Sequence, residues 1–330
     1  MKAVYFPGKD QVEFGDLSDP EPGDGEVVIR VRASGLCHTD VEVMLGNYGS
    51  SAFPVIPGHE FAGEVIEVGK EVAGLKPGER VVVDPNFECG TCRACRRGWA
   101  HLCESLGAYG VTMNGGFAER CTVRASAVHP VGDMDYSLAA LAEPMGCVLN
   151  GLSPLEGRII ERAVIFGAGP MGLLIGLALQ VRGAGEVIMV DIDEGRLQFA
   201  EACGLTHLHA GPDTDASLQR SCDLAVDATG SAAVAASLVD AIANGGATLY
   251  FGVCPADARI SISPFELFRR QLSLFGTHSL NHNIPDALDM LGKIGTAAER
   301  LVTHRLPLED MPGVISGQAR PGSMKVQMCE

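Results

Sequence analysis

Along the first third of the chain, apolar residues gather in short runs closed by turn residues. These are "GEVVIRVRASG" (25–35), "EFAGEVIEVG" (60–69) and "ERVVVD" (79–84), punctuated by "PEPGDG" and "LKPGE". Runs this short, rich in β-branched residues and bounded by Gly and Pro, predict strands of a compact β-rich domain with irregular loops. From about residue 158 the texture changes. "RAVIFGAG" is followed by "MGLLIGLALQVRG", "EVIMVD" by "EGRLQFAEACG" and then "THLHA", and "CDLAVDATG" by "AAVAASLVDAIANGG"; "ATLYFGV" and "LSLFGTH" complete the series. Strand patterns alternating with helical ones imply βαβ units and a parallel sheet covered on both faces, and six strands suffice for a doubly wound dinucleotide fold. The tail from 280, "LNHNIPDALDMLGKIG" with a short closing strand near "MKVQM", breaks that alternation. No repeat of fixed period is present.

With 330 residues, the chain exceeds the size at which one hydrophobic core keeps growing, so two domains are expected. It has 46% hydrophobic and 20% charged residues, no long apolar run, and an N-terminus "MKAVYFPGKDQVEFGD" without a signal-peptide pattern. The expectation is an ordinary globular protein of the cytoplasm with no membrane partner. Against 41 Asp and Glu there are 25 Lys and Arg, a formal charge of -16; such a balance repels phosphate backbones and disfavours nucleic acid as a partner. Eleven cysteines, an odd number in a reducing compartment, should remain thiols.

Thiols point to metal. "CGTCRACRRGWAHLC" sets Cys89, Cys92, Cys95 and Cys103 at C-x2-C-x2-C-x7-C, a spacing that lets four thiolates close a tetrahedron around a structural zinc. An iron–sulfur cluster or a fortuitous group of thiols stays open on ligand chemistry alone. Arg93, Arg96 and Arg97 either offset the excess negative charge of this loop or are simply solvated. A second signal, "VIFGAGPMG", places Gly167, Gly169 and Gly172 in the G-x-G-x-x-G register, with Pro170 and Met171 opening a helix. Free amides at such a helix start can take a pyrophosphate. Asp191, ending the next strand, would accept hydrogen bonds from the adenosine ribose and repel a 2'-phosphate, which favours NAD over NADP. Arg196 either stacks on adenine or is an exposed helix arginine. The third constellation is dispersed: Cys37, His38, Thr39 and Asp40 in "GLCHTD", His59 and Glu60 in "PGHEFAG", and Glu143 in "LAEPMG". A thiolate, an imidazole and a carboxylate from distant loops are what a catalytic zinc uses, leaving one position for water or substrate. Singly they also read as a core cysteine, a structural histidine and a helix-start carboxylate.

Cys37 in "CHTD", "GHE" at 58–60, the four-cysteine loop and "GAGPMG" occur in an order and with separations that resemble the zinc-containing medium-chain alcohol and polyol dehydrogenases, over essentially the whole chain. The resemblance implies an α/β protein: a GroES-like β-barrel catalytic domain, residues 1–144 and 280–330, with a structural zinc lobe at about 85–107, and an inserted Rossmann NAD-binding domain, 145–279. It implies two zinc ions per chain: a structural one on Cys89, Cys92, Cys95 and Cys103, and a catalytic one on Cys37, His59 and Glu143. Glu60 matches a carboxylate that serves as an alternative or water-exchanging ligand, Thr39 the hydroxyl that passes the substrate proton outward, and Asp40 a carboxylate orienting a ligand such as His59. The glutamate at 143 resembles the sorbitol and threonine dehydrogenase branch. Two departures bear on the substrate. Glu42 stands where many relatives have a relay histidine, and Ser279 beside His278 stands where sorbitol dehydrogenases carry a polyol-gripping arginine. Tyr48 and Trp99 are candidates for either pocket lining or core. The resulting expectation is NAD-dependent oxidation of a secondary alcohol, a polyol or sugar alcohol or else threonine, a cyclitol or a sugar-alcohol phosphate, by a homo-oligomer, dimer or tetramer. A zinc-free quinone reductase and a non-enzymatic zinc- and nucleotide-binding protein are the rival readings.

Overall fold

The computed structural model describes residues 1–48, 52–211, 217–318 and 320–330. The chain divides into two compact units: Met1–Gly146 with Leu280–Leu291 and Leu301–Glu330, and Cys147–Ser279 with Gly292–Arg300. The sequence pattern gives the whole tail to the first unit; the structure returns Gly292–Arg300 to the second, where Arg300 lies near enough to Cys203 to act on its thiol.

In the first unit the strand Glu26–Gly35 is the hub. It pairs antiparallel with Glu60–Val68, Arg120–Arg124 and Lys325–Cys329, and the sheet extends through Arg80–Val83, Val128–Pro130 and Val302–Leu306 to seven strands. Val27, Ile29, Val31, Phe61, Val65, Val81, Val83 and Phe117 pack into one buried cluster between them. The closing strand near "MKVQM" is thus a full ladder member, Gln327 standing opposite Gly35. Two short pieces have no clear local signal: the hairpin of Lys2–Tyr5 with Glu13–Asp16 and the strand Val302–Leu306, which pairs parallel with the closing strand.

The returning segment is fastened beside the four-cysteine loop. Asn281 Nδ2 donates to Gly98 O at 2.9 Å. The His282 ring lies 3.5 Å from Asp84 through Nδ1 and 3.3 Å from Glu88 through Nε2. The hydrogen bond to Asp84 is the largest of the effects that raise His282 to about 9, and Glu88 adds to it. His129, also near Asp84, is shifted downward by burial. Because the folded value of His282 lies above the unfolded one, its contribution to stability is fully present below about pH 6.5 and is lost as pH rises to about 9. The ring is half exposed, so the effect is screened. His282→Gln should lower Tm by about 2 °C at pH 6 and by nothing measurable at pH 10; a pH-independent difference in parallel thermal melts would contradict this account.

The second unit is a six-stranded parallel sheet. Its order is His207–Ala210, Glu186–Asp191, Arg162–Phe166, Cys222–Asp227, Ile242–Tyr250, Ser273–Gly276. The order reverses between Arg162–Phe166 and Cys222–Asp227, the switch point at which such sheets bind nucleotides. Val164, Phe166, Ile188, Val190 and Leu238 form its core. One boundary differs from the pattern: "AAVAASLVDAIANGG" reads as a single helix, but the helix is Ala232–Ala241 and the strand begins at Ile242. Ile242 is already paired with Cys222, across a register shift that absorbs the glycines, so ladder pairing overrides local propensity. Among the described residues no helix is long and apolar enough to cross a membrane.

Candidate metal centres and cofactor site

The four-cysteine loop folds on two short 3-10 turns, Cys95–Arg97 and Ala100–Leu102, which bring the four Sγ atoms within 4.8 Å of one another. Cys92 and Cys95 are 3.4 Å apart and Cys89 and Cys95 4.0 Å; zinc–sulfur bonds of about 2.3 Å in a tetrahedron separate sulfurs by about 3.8 Å. The loop backbone prepares the sulfurs as anions: Cys89 Sγ accepts from the Cys92 amide, and Cys103 Sγ from the amides of Cys89 and Ser105, each at 3.4 Å. The Thr91 amide leads in drawing Cys89 down to about 5, while desolvation and the Cys92 thiol push Cys95 up to about 12. Four thiolates held within 4.8 Å repel one another, so they coexist here only around a cation. The donor set therefore fits a closed structural zinc. Arg96 braces the loop by donating to Thr91 O, and Arg97 stacks on Trp99 at 5.6 Å. Trp99 is 47% and Tyr48 39% exposed, so neither is a core aromatic.

The dispersed set also converges. Cys37 caps the helix His38–Met44 and His59 and Glu60 lie at the entry to the strand Glu60–Val68. Cys37, His59 and Glu60 present donor atoms within 4.8 Å of one another. Asp40, fully buried, holds them in register: its carboxylate accepts the Cys37 amide at 2.9 Å and the Gly58 amide at 3.0 Å and stands 3.3 Å from His59 Nδ1. A carboxylate beside the ring of a candidate ligand is the carboxylate–histidine arrangement that orients metal ligands. Burial opposes a charge on His59, but Asp40, aided by Cys37, outweighs it and raises the ring well above the usual histidine range. Thr39 Oγ1 accepts from Cys37 Sγ at 3.7 Å. A thiol, an imidazole and a carboxyl around one point fit an open-position zinc site.

Glu143 lies outside the 4.8 Å set. It is buried in the first turn of the helix Ala142–Leu152, the helix-start carboxylate the sequence also allowed. Glu42 is paired with exposed His38 at 3.2 Å and with Asn47 at 3.0 Å. Ser279 has a left-handed backbone, φ 55°, and its carbonyl accepts from Asn150 at 2.8 Å.

Lys325 was not foreseen. Its Nζ reaches both Glu60 oxygens at 2.5 Å, and both side chains are buried. Burial alone would depress the ammonium, but Glu60, followed by Cys37 and Glu143, holds it above the usual lysine range. In sequence it reads as an ordinary charged residue beside an edge strand, and only the pairing of the tail with Glu26–Gly35 reveals it.

In the second unit, Gly167 has φ 102° and a Cβ on Gly172 would lie 1.8 Å from Gly167 O, so the turn admits no side chain at 172. The helix Pro170–Val181 follows, capped by Gly169, with Pro170 at its first position and Met171 next; proline fits there because that amide has no intrahelical partner. Asp191 Oδ2 accepts the Ala168 amide at 2.7 Å and Oδ1 the Asp193 amide at 2.9 Å, which ties the carboxylate to the glycine loop. Arg196 Nη1 is 3.9 Å from Asp191 Oδ2, its side chain half exposed. The sequence reading also passed over Asp227: fully buried, it accepts the amides of Thr229 and Gly230 and so fixes the turn packed against Gly167. Its signal is an aspartate closing a buried strand before "ATG".

Two independent family descriptions match this chain: "Alcohol dehydrogenase GroES-like domain" over residues 23–133 and "Zinc-binding dehydrogenase" over residues 170–293. The chain belongs to the zinc-binding alcohol dehydrogenase family of medium-chain oxidoreductases, NAD(P)-dependent enzymes acting on CH–OH donors. It is 49% identical to D-altritol 5-dehydrogenase of Agrobacterium fabrum, covering 99% of each chain, and 30% identical to D-arabinitol dehydrogenase 1 of Uromyces fabae, covering 99% of this chain and 96% of that one. Among solved structures, a Sinorhizobium meliloti protein described as a zinc-binding dehydrogenase and bound to NADP superposes with a TM-score of 0.93 at 29% identity, over 100% of this chain and 99% of that one.

Proposed function

We propose that the protein oxidises a secondary hydroxyl of a polyol or sugar alcohol, holds two zinc ions per chain and prefers NAD to NADP. The observation that carries this reading is the convergence of Cys37, His59 and Glu60 within 4.8 Å, with Asp40 behind His59. Bound there, zinc would polarise the substrate hydroxyl as a Lewis acid, and the nicotinamide would accept the hydride. The chain supplies the remainder. Asp40 fixes the imidazole, Thr39 offers the hydroxyl that passes the proton outward, the glycine loop and the start of the helix Pro170–Val181 take the pyrophosphate, and Asp191 takes the ribose hydroxyls. Resemblance to the altritol and arabinitol dehydrogenases favours acyclic polyols over threonine or cyclitols. A cytoplasmic setting accords with eleven cysteines that form no disulfide among the described residues, and an assembly of identical subunits accords with the family.

The test is metal analysis of the purified chain together with a screen of altritol, arabinitol, other sugar alcohols, cyclitols and threonine against NAD+ and NADP+, read at the nicotinamide absorbance. About two zinc per chain and NAD-dependent oxidation of a polyol are expected; a metal content near zero would sink the reading. For coenzyme choice, Asp191→Ser should raise kcat/KM with NADP+ relative to NAD+ at least about tenfold, since like charges held together cost upward of a kcal/mol. An unchanged ratio would show that Asp191 does not discriminate.

A further inference from the structure

Asp227 ends the strand Cys222–Asp227 in the second unit. It is fully buried, and the chemistry proposed above does not use it. Its two carboxylate oxygens have different surroundings. Oδ1 takes three donors: the Thr229 amide at 2.8 Å, the Thr229 hydroxyl at 2.6 Å and the Gly230 amide at 3.2 Å. Oδ2 is buried with no hydrogen-bond partner among the described residues. The main-chain oxygen of Asp227 takes the Phe251 amide at 3.0 Å and the Gly252 amide at 2.8 Å. One residue therefore ties together the turns that leave two paired strands, Cys222–Asp227 and Ile242–Tyr250. The backbone around it has no slack. A Cβ on Gly252 would fall 2.2 Å from Gly230 N, and one on Gly167 would fall 3.0 Å from Thr229 Cγ2 and 3.1 Å from Ala228 O. The turn 228–230 is thus the rear wall of the glycine loop, and Asp227 Oδ1 is the acceptor that its donors share.

We infer that Asp227 is a positioning residue for the coenzyme: through the turn 228–230 it sets the glycine loop, so that the free amides at the start of the helix Pro170–Val181 are aimed at one anion. The inference rests on the coenzyme reading above and deepens it. A site made of backbone amides owes its affinity to donors already aimed before the ligand arrives, because ordering them on binding costs free energy. Close packing hands a displacement on to its neighbour instead of absorbing it, so a turn released from Asp227 moves against Gly167. Release is not collapse. Thr229 is exposed and Ala228 and Gly230 are half-buried, so water can take over the freed amides. What the turn needs is the oxygen at Oδ1; an amide nitrogen in place of Oδ2 would break no hydrogen bond, since that oxygen makes none among the described residues.

The experiment titrates the full chain with NADH, followed by coenzyme fluorescence at a temperature where each variant is folded, beside steady-state kinetics with NAD+ and metal analysis. Asp227→Ala should raise the NADH dissociation constant and the KM for NAD+ at least about tenfold, the loss expected for two hydrogen bonds. Its kcat at saturating NAD+ should stay within about threefold of the parent, with metal content unchanged. Asp227→Asn keeps an oxygen at Oδ1 and should hold both constants within about threefold of the parent. Thr229→Val removes one donor, keeps the methyl that faces Gly167, and should loosen NADH about threefold. The inference is overturned if Asp227→Ala binds NADH as the parent does, if Asp227→Asn is as weak as Asp227→Ala, or if kcat falls while the dissociation constant holds. Where Asp227→Ala does not fold, Thr229→Val decides, and unchanged NADH binding in it overturns the inference. Failure of the underlying coenzyme reading has a different signature: a parent chain that shows no saturable binding of NADH.

Discussion

Cys37→Ser should lower polyol oxidation by at least about a thousandfold in kcat/KM, equivalent to about 4 kcal/mol of lost transition-state stabilisation, while the melting temperature stays within about 2 °C of the parent. The reason is placement. Cys37 sits at the cap of the helix His38–Met44, where its amide donates to the Asp40 carboxylate and its side chain faces the Asp40 amide in a capping box that serine also makes. Serine keeps that amide and offers a poor zinc ligand in place of a thiolate. Steady-state kinetics with metal analysis on the same preparation check the result: one zinc should be lost per chain. Full activity in Cys37→Ser would remove this sulfur from the chemistry.

Cys103→Ser should behave in the opposite sense. Cys103 is buried and its sulfur accepts the amides of Cys89 and Ser105, so it holds together both ends of the lobe. Loss of a structural metal belongs to the short list of changes that cost about 4 kcal/mol or more. For a chain of this size that lowers the thermal midpoint by roughly 10 °C. Turnover per folded molecule should stay within about threefold of the parent, because four donors that close a tetrahedron leave no place for substrate. Calorimetry and zinc content report the first effect and active-site-normalised rates the second. A variant as stable as the parent and retaining two zinc would show that the lobe holds no ion.

The contrast between these two sites also separates what was legible in the sequence from what was not. Four cysteines within fifteen positions can meet through local turns alone, and "VIFGAGPMG" with Asp191 is one βαβ unit; such signals survive in a linear reading. The parallel character of the six-stranded sheet likewise follows from the alternation of patterns, whereas its strand order comes from the structure. Cys37, His59 and Glu60 were legible as residue types, since each sits next to a turn or cap, but their convergence depends on the ladder between Glu26–Gly35 and Glu60–Val68. Glu143 and Glu60 both read as candidate ligands in the sequence; the carboxylate that meets the Cys37 and His59 donor atoms within 4.8 Å is that of Glu60. Lys325 was out of reach: its partner is 265 positions away, and a lysine in a tail strand looks like a solvated edge residue until the register of Gln327 against Gly35 is known. Asp227 was missed for a related reason, since an aspartate ending an apolar strand announces a turn but not which glycine that turn packs against.

The pairing of Glu60 with Lys325 also sets an order of events in synthesis. At the usual pace of translation the ammonium emerges on the order of ten to fifty seconds after the carboxylate, because it lies 265 positions further along the chain. Until then the donor set of the first sixty residues lacks its compensating charge and the strand that flanks it. The ligands of the four-cysteine lobe, by contrast, all emerge within fifteen residues. In a growing chain an ion held by the four-cysteine lobe would be captured early, whereas the set of Cys37, His59 and Glu60 would reach its final electrostatic state only when the strand Lys325–Cys329 has joined the sheet.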